Sequence, residues 1–376
     1  MEHYLDNAAT TAVCPEAAEA AVKAMTLLYG NPSSTHAKGR EAAKLLCSSR
    51  AAVADALGCA AEELVFTSCG SESDNWALLG GAEAAKRTGR HIISSLVEHD
   101  AVRKSLDLLE AQGWAVTRLK PGQDGAVRVG DVEAALREDT ALVSLMMVNN
   151  ETGGVTDIAG VARMLRESGS RALLHTDAVQ AFMKLPFSAK TLGADLISVS
   201  GHKIHAPKGV GALYIRSGLR LKPLIVGGSQ EGGRRAGTEA VPQIAAFAAA
   251  ARLAQAGMAE NTARMAALRA EMLERLRAEI PELRWIDSAA PHILSISLPG
   301  WRSEVLMNFL EAREIYVSKS SACKKGGRSH VLEAMGLPPR VIDGALRIGL
   351  SRYTRSEDVD ALCLALKEAR DTLAHR

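Results

Sequence analysis

What the 376 residues lack narrows the field first. None of the six cysteines (Cys14, Cys47, Cys59, Cys69, Cys323, Cys363) stands in a C-x-x-C pair. That excludes zinc ribbons and thioredoxin-like motifs. There is no excess of either charge, with 45 Lys plus Arg against 43 Asp plus Glu. This balance argues against a dedicated nucleic-acid or membrane-surface protein. No uncharged apolar run reaches the roughly 18 residues of a membrane helix. The N-terminus MEHYLDNAATT has neither a basic n-region nor an apolar h-region, so no secretory signal is expected. G-x-x-x-x-G-K-[ST] is absent, which excludes a P-loop nucleotide site. Neither an internal repeat nor a low-complexity tail is present. The expectation is a cytoplasmic protein with reduced thiols.

What is there reads as α/β. Short apolar runs recur between helical patterns: ELVFTS (63–68), HIISS (91–95), ALVSLMMV (141–148), RALLHTD (171–177), ADLISVS (194–200) and GALYIR (211–216). Continuous apolar runs separated by helices predict a mostly parallel sheet covered on both faces. At 376 residues the chain exceeds what one core usually holds. From about 245 to 279 an Ala-, Leu-, Arg- and Glu-rich stretch predicts a long helix, or two in line, leaving the first domain. HILSISLPG (292–300) predicts a strand, SEVLMNFLEAR (303–313) a helix, and SEDVDALCLALKEARDTL (356–373) an amphipathic C-terminal helix. The expected division is a large domain over 16–250 and a smaller α+β domain built from 1–15 and 251–376.

Polar residues collect just after the apolar runs. Cys69-Gly70-Ser71 follows the first, Glu98-His99 the second, Asn149-Asn150-Glu151 the third, Asp177 and Gln180 the fourth, and Gly201-His202-Lys203 the fifth. In open α/β sheets ligands bind beyond the carboxyl ends of the strands. Gly70-Ser71 suits a phosphate at a helix N-terminus, and equally an ordinary N-cap. Lys203 after a buried strand could attack a carbonyl to form a Schiff base; Lys208 competes for that role, and Lys203 lies nearer the strand end. Asp177 closes an apolar strand, where a carboxylate needs a cationic partner or caps the next segment. His99 could stack on a flat cofactor and move protons, or cap a helix. GGSQEGGRRAGTE (227–239) could form an anion nest or a surface loop. Arg347 in ALRIGLSR could clamp a carboxylate or form a structural ion pair. His202 and His205 have no accompanying ligand set, so no metal site is expected. SSACKKGGRS (320–329) puts Cys323 among small polar residues and cations, an unusual setting for a thiol that is normally buried.

These motifs, with YLDNAATT (4–11), NPSSTHAKGR (31–40), NNETGGV, HTDAVQ, SVSGHKIHAPKGVGALY and LRIGLSRYT, resemble the cysteine desulfurases. These are the NifS/IscS-like group of pyridoxal 5'-phosphate (PLP) enzymes in the class V aminotransferase superfamily. The resemblance runs over nearly the whole chain. It implies the fold-type I PLP-transferase fold and a homodimer with active sites near the subunit boundary. Lys203 matches the lysine that holds PLP covalently, and Asp177 the carboxylate on the pyridine nitrogen. Gln180 and Asn150 match residues beside the ring, and His99 the stacking histidine. Gly70, Ser71, Ser200 and His202 match phosphate contacts, with Thr238 arriving from the other subunit. Asn31 and Arg347 match the substrate-carboxylate site, and Cys323 the nucleophile that receives sulfur.

The implied reaction converts L-cysteine to L-alanine and leaves a persulfide on Cys323. A sulfur-acceptor protein would then take the sulfur, for iron–sulfur cluster assembly or tRNA thiolation. The competing expectations are a selenocysteine lyase or another aminotransferase-like member, and a non-catalytic sulfur carrier. The chain departs from the family pattern at Gly70-Ser71, His205-Ala206, Ser229 and Gly232, and in the basic CKKGGRS. Lys324 and Lys325 are expected to favour the Cys323 thiolate or to steer an acidic acceptor.

Overall fold

A computed structural model describes residues 2–319 and 327–374. The chain opens with the short strand β1 (His3–Tyr4). The central strands are β2 (Leu64–Thr67), β3 (His91–Ser95), β4 (Ala115–Leu119), β5 (Thr140–Ser144), β6 (Leu173–Asp177), β7 (Leu196–Ser200) and β8 (Gly211–Ile215). They form one sheet in the order β2-β8-β7-β6-β5-β3-β4. Pairing is parallel from β7 through β4, and β8 is antiparallel to both β7 and β2. Only β8 therefore runs against the rest, and β2 points the same way as β7. This arrangement brings the carboxyl ends of β2, β3, β5, β6 and β7 to one edge.

The expected apolar runs all appear as strands, most of them buried throughout. The edge strand β4, AVTRL, was not among them. Its residues are half-buried or exposed, so the apolar signal of a covered strand is missing. Helices such as Gly70–Ala85 and Ile158–Glu167 cover the sheet. The main core, around Phe182, Phe247, Ile197 and Val199, takes in Ile158–Glu167, while Gly70–Ala85 packs separate clusters with Leu78 and Trp76.

The 245–279 stretch is two helices, Val241–Ala256 and Met258–Glu279, broken at Gly257. Beyond them come β9 (Arg284–Trp285), β10 (Ile293–Ser297), β11 (Ile315–Tyr316), β12 (Ser318–Lys319) and β13 (Ala345–Gly349). A second, antiparallel sheet has the order β12-β13-β10-β9. Its own core, with Leu294, Leu346, Ile348, Leu306 and Leu362, packs helices Met258–Glu279, Ser303–Glu311 and Ser356–Thr372.

The N-terminus belongs to this second unit, because β1 pairs in parallel with β11. From there residues 5–14 run as a strap to the polar edge of the central sheet. Gly349 N–H donates to Leu5 O at 2.7 Å, and Asn7 Nδ2 to Gly349 O at 3.0 Å. At the far end the Thr11 N–H and Oγ1 both donate to His202 O, at 3.0 and 2.9 Å, and the Cys14 N–H donates to His205 O at 3.0 Å. The strap ties one sheet to the other beside the strand ends.

Candidate active site

The polar strand ends line a cavity of about 290 Å³, and the strap closes one side of it with Ala8 and Ala9. Lys203, just past β7, donates from Nζ to both carbonyls, Ala8 O and Ala9 O, at 2.7 Å each. Gln180 Nε2 donates to Ala8 O as well, at 2.8 Å, leaving its buried Oε1 without a partner.

Asp177 ends β6 on the cavity floor and is buried; the Val179 N–H donates to its Oδ1 at 2.9 Å. Burial pushes its carboxyl up, and the neighbouring His99, the Val179 N–H and Lys203 pull it back. A second carboxylate, Asp74, lies in the same lining, one turn after Gly70 on the helix Gly70–Ala85. Burial first and the Asp177 charge second push Asp74 well up. Asp74 is the more strongly raised of the two, so it takes up a proton before Asp177. Asp74 Oδ1 has no hydrogen-bond partner and lies 3.7 Å from His175 Nε2. Burial holds that histidine neutral, its pKa lowered to about 3.

Glu98 is a third buried carboxyl, raised to about 8 by burial against the opposing bonds from Ser95 and Met146. His99 caps the helix Asp100–Ala111, its Nδ1 accepting from the Ala101 N–H at 3.1 Å. In the neutral ring that bond places the proton on Nε2.

At the opposite wall the N-terminus of helix Gly70–Ala85 faces Ser200 and His202. A Cβ on Gly70 would meet Val179 Cγ2 at 2.9 Å, so the glycine lets the backbone line the wall closely. Ser200 Oγ is buried without a partner. His202 Nδ1 lies 3.2 Å from Thr10 Oγ1, and burial lowers its pKa to about 3, with Lys203 adding to the effect. A neutral histidine, an unpaired hydroxyl and free helix N–H groups fit a phosphate. The buried Asp177 carboxylate on the floor fits a ring bearing a protonated nitrogen, so the site suits PLP, with Lys203 as the amine.

Arg347, on β13, enters from the second sheet and is 2% exposed. It donates to Asn150 O and to Asp6 Oδ1, at 3.0 Å each, leaving Nε without a partner.

The structure thus gathers Gly70, Ser71, His99, Asn150, Asp177, Gln180, Ser200, His202, Lys203 and Arg347 into one cavity. Asn31 and Thr238 are exposed and do not line it within a single chain. Cys323, with Lys324 and Lys325, lies outside the described residues. Sequence reasoning passed over Asp74 and the carbonyls of Ala8 and Ala9. Asp74 had a signal, four residues after Gly70 on one helix face. The carbonyls had none, since every residue carries one. Among the described residues no cluster of His, Cys, Asp or Glu could hold a metal ion.

The Aminotransferase class-V pattern matches residues 3–362. The chain belongs to the class-V aminotransferase family. Members of this family work with PLP. A cysteine desulfurase of Nostoc sp. is 42% identical, over 98% of this chain and 93% of its own length. A solved NifS-like protein superposes with a TM-score of 0.93 at 38% identity, covering 99% of this chain and 100% of that one. The structure of SspA in complex with cysteine superposes with a TM-score of 0.81 at 31% identity, covering 94% and 100%. The family's PLP chemistry agrees with a site that offers an amine, a buried carboxylate and an anion cradle around one cavity.

Proposed function

We propose that the chain is a PLP-dependent cysteine desulfurase that moves sulfur from L-cysteine onto Cys323 and leaves L-alanine. The observation that carries this reading is the convergence of Lys203, Asp177 and Arg347 in one cavity. An amine suits covalent capture of an aldehyde, a buried carboxylate suits a pyridinium, and a buried guanidinium suits an amino-acid carboxylate. Gly70, Ser71, Ser200 and His202 hold the phosphate, with Thr238 reaching it from a second subunit. Gln180 and Asn150, which line the same cavity, would contact the ring. Asn31 and Arg347 take the substrate carboxylate.

Bound there, PLP supplies an electron sink that acidifies the substrate Cα–H and weakens the Cβ–sulfur bond. Lys203 Nζ would be the group that accepts the Cα proton. Asp177 holds its negative charge against the pyridine nitrogen. His99, which lines the same cavity, would offer a proton from Nε2. The Cys323 thiolate attacks the substrate sulfur, so that one S–S bond forms as the Cβ–S bond breaks. The balance is L-cysteine plus Cys323 thiol to L-alanine plus Cys323 persulfide.

The persulfide then passes to an acceptor protein in iron–sulfur cluster assembly or tRNA thiolation, in the cytoplasm. Two domains, 16–250 and 1–15 with 251–376, fit a chain in which each sheet has its own core. A homodimer fits the exposed Val22, Met25, Leu27 and Tyr29 and the 80% exposed Val226.

Mass spectrometry of the protein after L-cysteine tests the reading. A sulfur adduct confined to Cys323 is expected, with alanine release lost in Cys323→Ala. Unchanged alanine release in that variant rules the mechanism out.

A further inference from the structure

The turn after β5 carries a buried carboxylate that the proposed chemistry does not use. Asn149 sets the turn: its Oδ1 accepts from the N–H groups of Glu151 and Thr152, at 2.9 Å each, and its Nδ2 donates to Val97 O at 2.9 Å. Glu151, held in that frame, is 5% exposed. Its Oε2 accepts from Ser329 Oγ, and Ser329 Oγ in turn accepts from the Leu332 N–H at 3.1 Å. Ser329 is itself buried and caps the short helix His330–Ala334. One residue on, His330 Nε2 lies 3.3 Å from Glu98 O.

Ser329 stands six residues after Cys323, and Lys319 four residues before it. The upstream end is fixed as well. β12 pairs with β13, placing Ser318 opposite Arg347 and Lys319 opposite Leu346. Arg347 donates to Asn150 O, the carbonyl immediately before Glu151. Both ends of the Cys323 segment therefore attach to one node: Arg347 on one side and the Asn149–Glu151 turn on the other. The node also forms the wall of the cavity where the substrate carboxylate is expected. The charged groups acting on Glu151 are Arg347 from β13, and Asp100 and Arg103 from the helix Asp100–Ala111.

We propose that Glu151 is a positioning residue. Through Ser329 it holds the downstream root of the Cys323 segment against the Arg347 node, setting the sulfur acceptor relative to the bound substrate. This rests on the reading of Cys323 as the sulfur nucleophile. A buried carboxylate needs a hydrogen-bond donor, and here the donor is the residue that roots that segment. A bond to the root makes the transfer step depend on it, because misplacing a reacting atom by about 1 Å can cost two orders of magnitude in rate.

The test uses full-length, PLP-loaded protein and L-cysteine. Glu151→Ala, Ser329→Ala and the double variant are compared with wild type. Two quantities are read: the rate of persulfide formation on Cys323, and the L-cysteine concentration giving half the change in cofactor absorbance. The expected result is a loss of about ten- to a hundredfold in the first, with the second within about twofold of wild type. The double variant is expected to be no slower than the slower single variant, because both remove one bond. Glu151→Gln, which keeps an acceptor for Ser329, should fall between wild type and Glu151→Ala. Wild-type persulfide rates in both single variants overturn the proposal, and so do multiplicative losses in the double variant. A parallel weakening of substrate binding overturns it too. Cys323→Ala run alongside separates the two claims: full alanine release there removes the nucleophile reading itself, whatever Glu151 does.

Discussion

At the scale of single residues the site is a problem in placing charge. Three carboxyl groups, Asp74, Glu98 and Asp177, are buried within electrostatic reach of one another. They cannot all be ionised in a dry environment. The backbone N–H at Val179 and the nearby His99 and Lys203 select Asp177 for the charge. Glu98, pushed up to about 8, stays protonated near neutral pH. The consequence for stability has a definite sign. A carboxyl whose folded pKa lies above its unfolded value binds its proton more tightly in the folded protein. The stability it contributes is therefore present at low pH and lost as pH rises from the ordinary carboxyl range towards about 8. Glu98→Gln removes this dependence. The stability of wild type relative to Glu98→Gln should fall between pH 5 and 8, by at most about 1.4 kcal/mol per pH unit. Urea unfolding of both cofactor-free proteins across that range is the measurement. A difference that stays constant with pH would contradict the assignment.

At the scale of elements, the strap of residues 5–14 does as much as the sheet. Its carbonyls at Ala8 and Ala9 hold Lys203 and Gln180, and its Asp6 and Thr10 side chains reach Arg347 and His202. Its seat is Gly349 at the end of β13. A Cβ there would meet Ala8 N at 2.4 Å and Ala8 Cβ at 3.0 Å. Gly349→Ala must push the strap away from the sheet, at a cost on the order of 1–3 kcal/mol for overpacking. It should also weaken PLP binding, because the carbonyls move with the strap. Denaturant midpoints with and without PLP would show a lower midpoint and a smaller gain from the cofactor. Equal gains in variant and wild type would mean that the strap does not position Lys203.

The glycine-rich stretch 227–239 is likewise held as an element. Arg50 grips Glu231 with two bonds of 2.7 and 2.5 Å, and Arg235 pairs with Glu72 at 2.8 Å. Here the sequence left an anion nest and a loose loop equally open. The ion pairs, made with residues more than 150 positions away, anchor it.

At the scale of the whole molecule, one chain does not complete the expected site. Asn31 and Thr238 are exposed, and each is close in sequence to exposed apolar residues: Asn31 to Leu27 and Tyr29, Thr238 to Val226. The Ala236 N–H donates to Ile225 O at 3.2 Å, which keeps Thr238 beside that apolar segment. Single exposed hydrophobic residues need no explanation, but a group of them beside unplaced site residues favours an interface. Sedimentation of wild type should give twice the 39.8 kDa chain mass. Met25→Glu with Val226→Glu should shift it to the chain mass and remove most of the alanine release. A fully active monomer would refute the shared site.

The sequence by itself determined the class of sheet and most of the residues that line the cavity. Apolar runs predict buried strands through burial alone, and polar residues at their ends predict a site through a general property of α/β sheets. Lys203, Asp177, His99 and the Gly70-Ser71 turn were legible on that basis, and Arg347 as a candidate clamp. What only the tertiary structure decided depends on separations the chain does not encode locally. It chose which of three carboxyls keeps a charge, because that follows from burial and neighbours. It brought the carbonyls of Ala8 and Ala9 onto Lys203 from about 195 residues away. It also joined Glu151 to Ser329 across 178 positions. Burial and hydrogen bonding are properties of the assembled interior, and sequence reports them only where local pattern happens to mirror it.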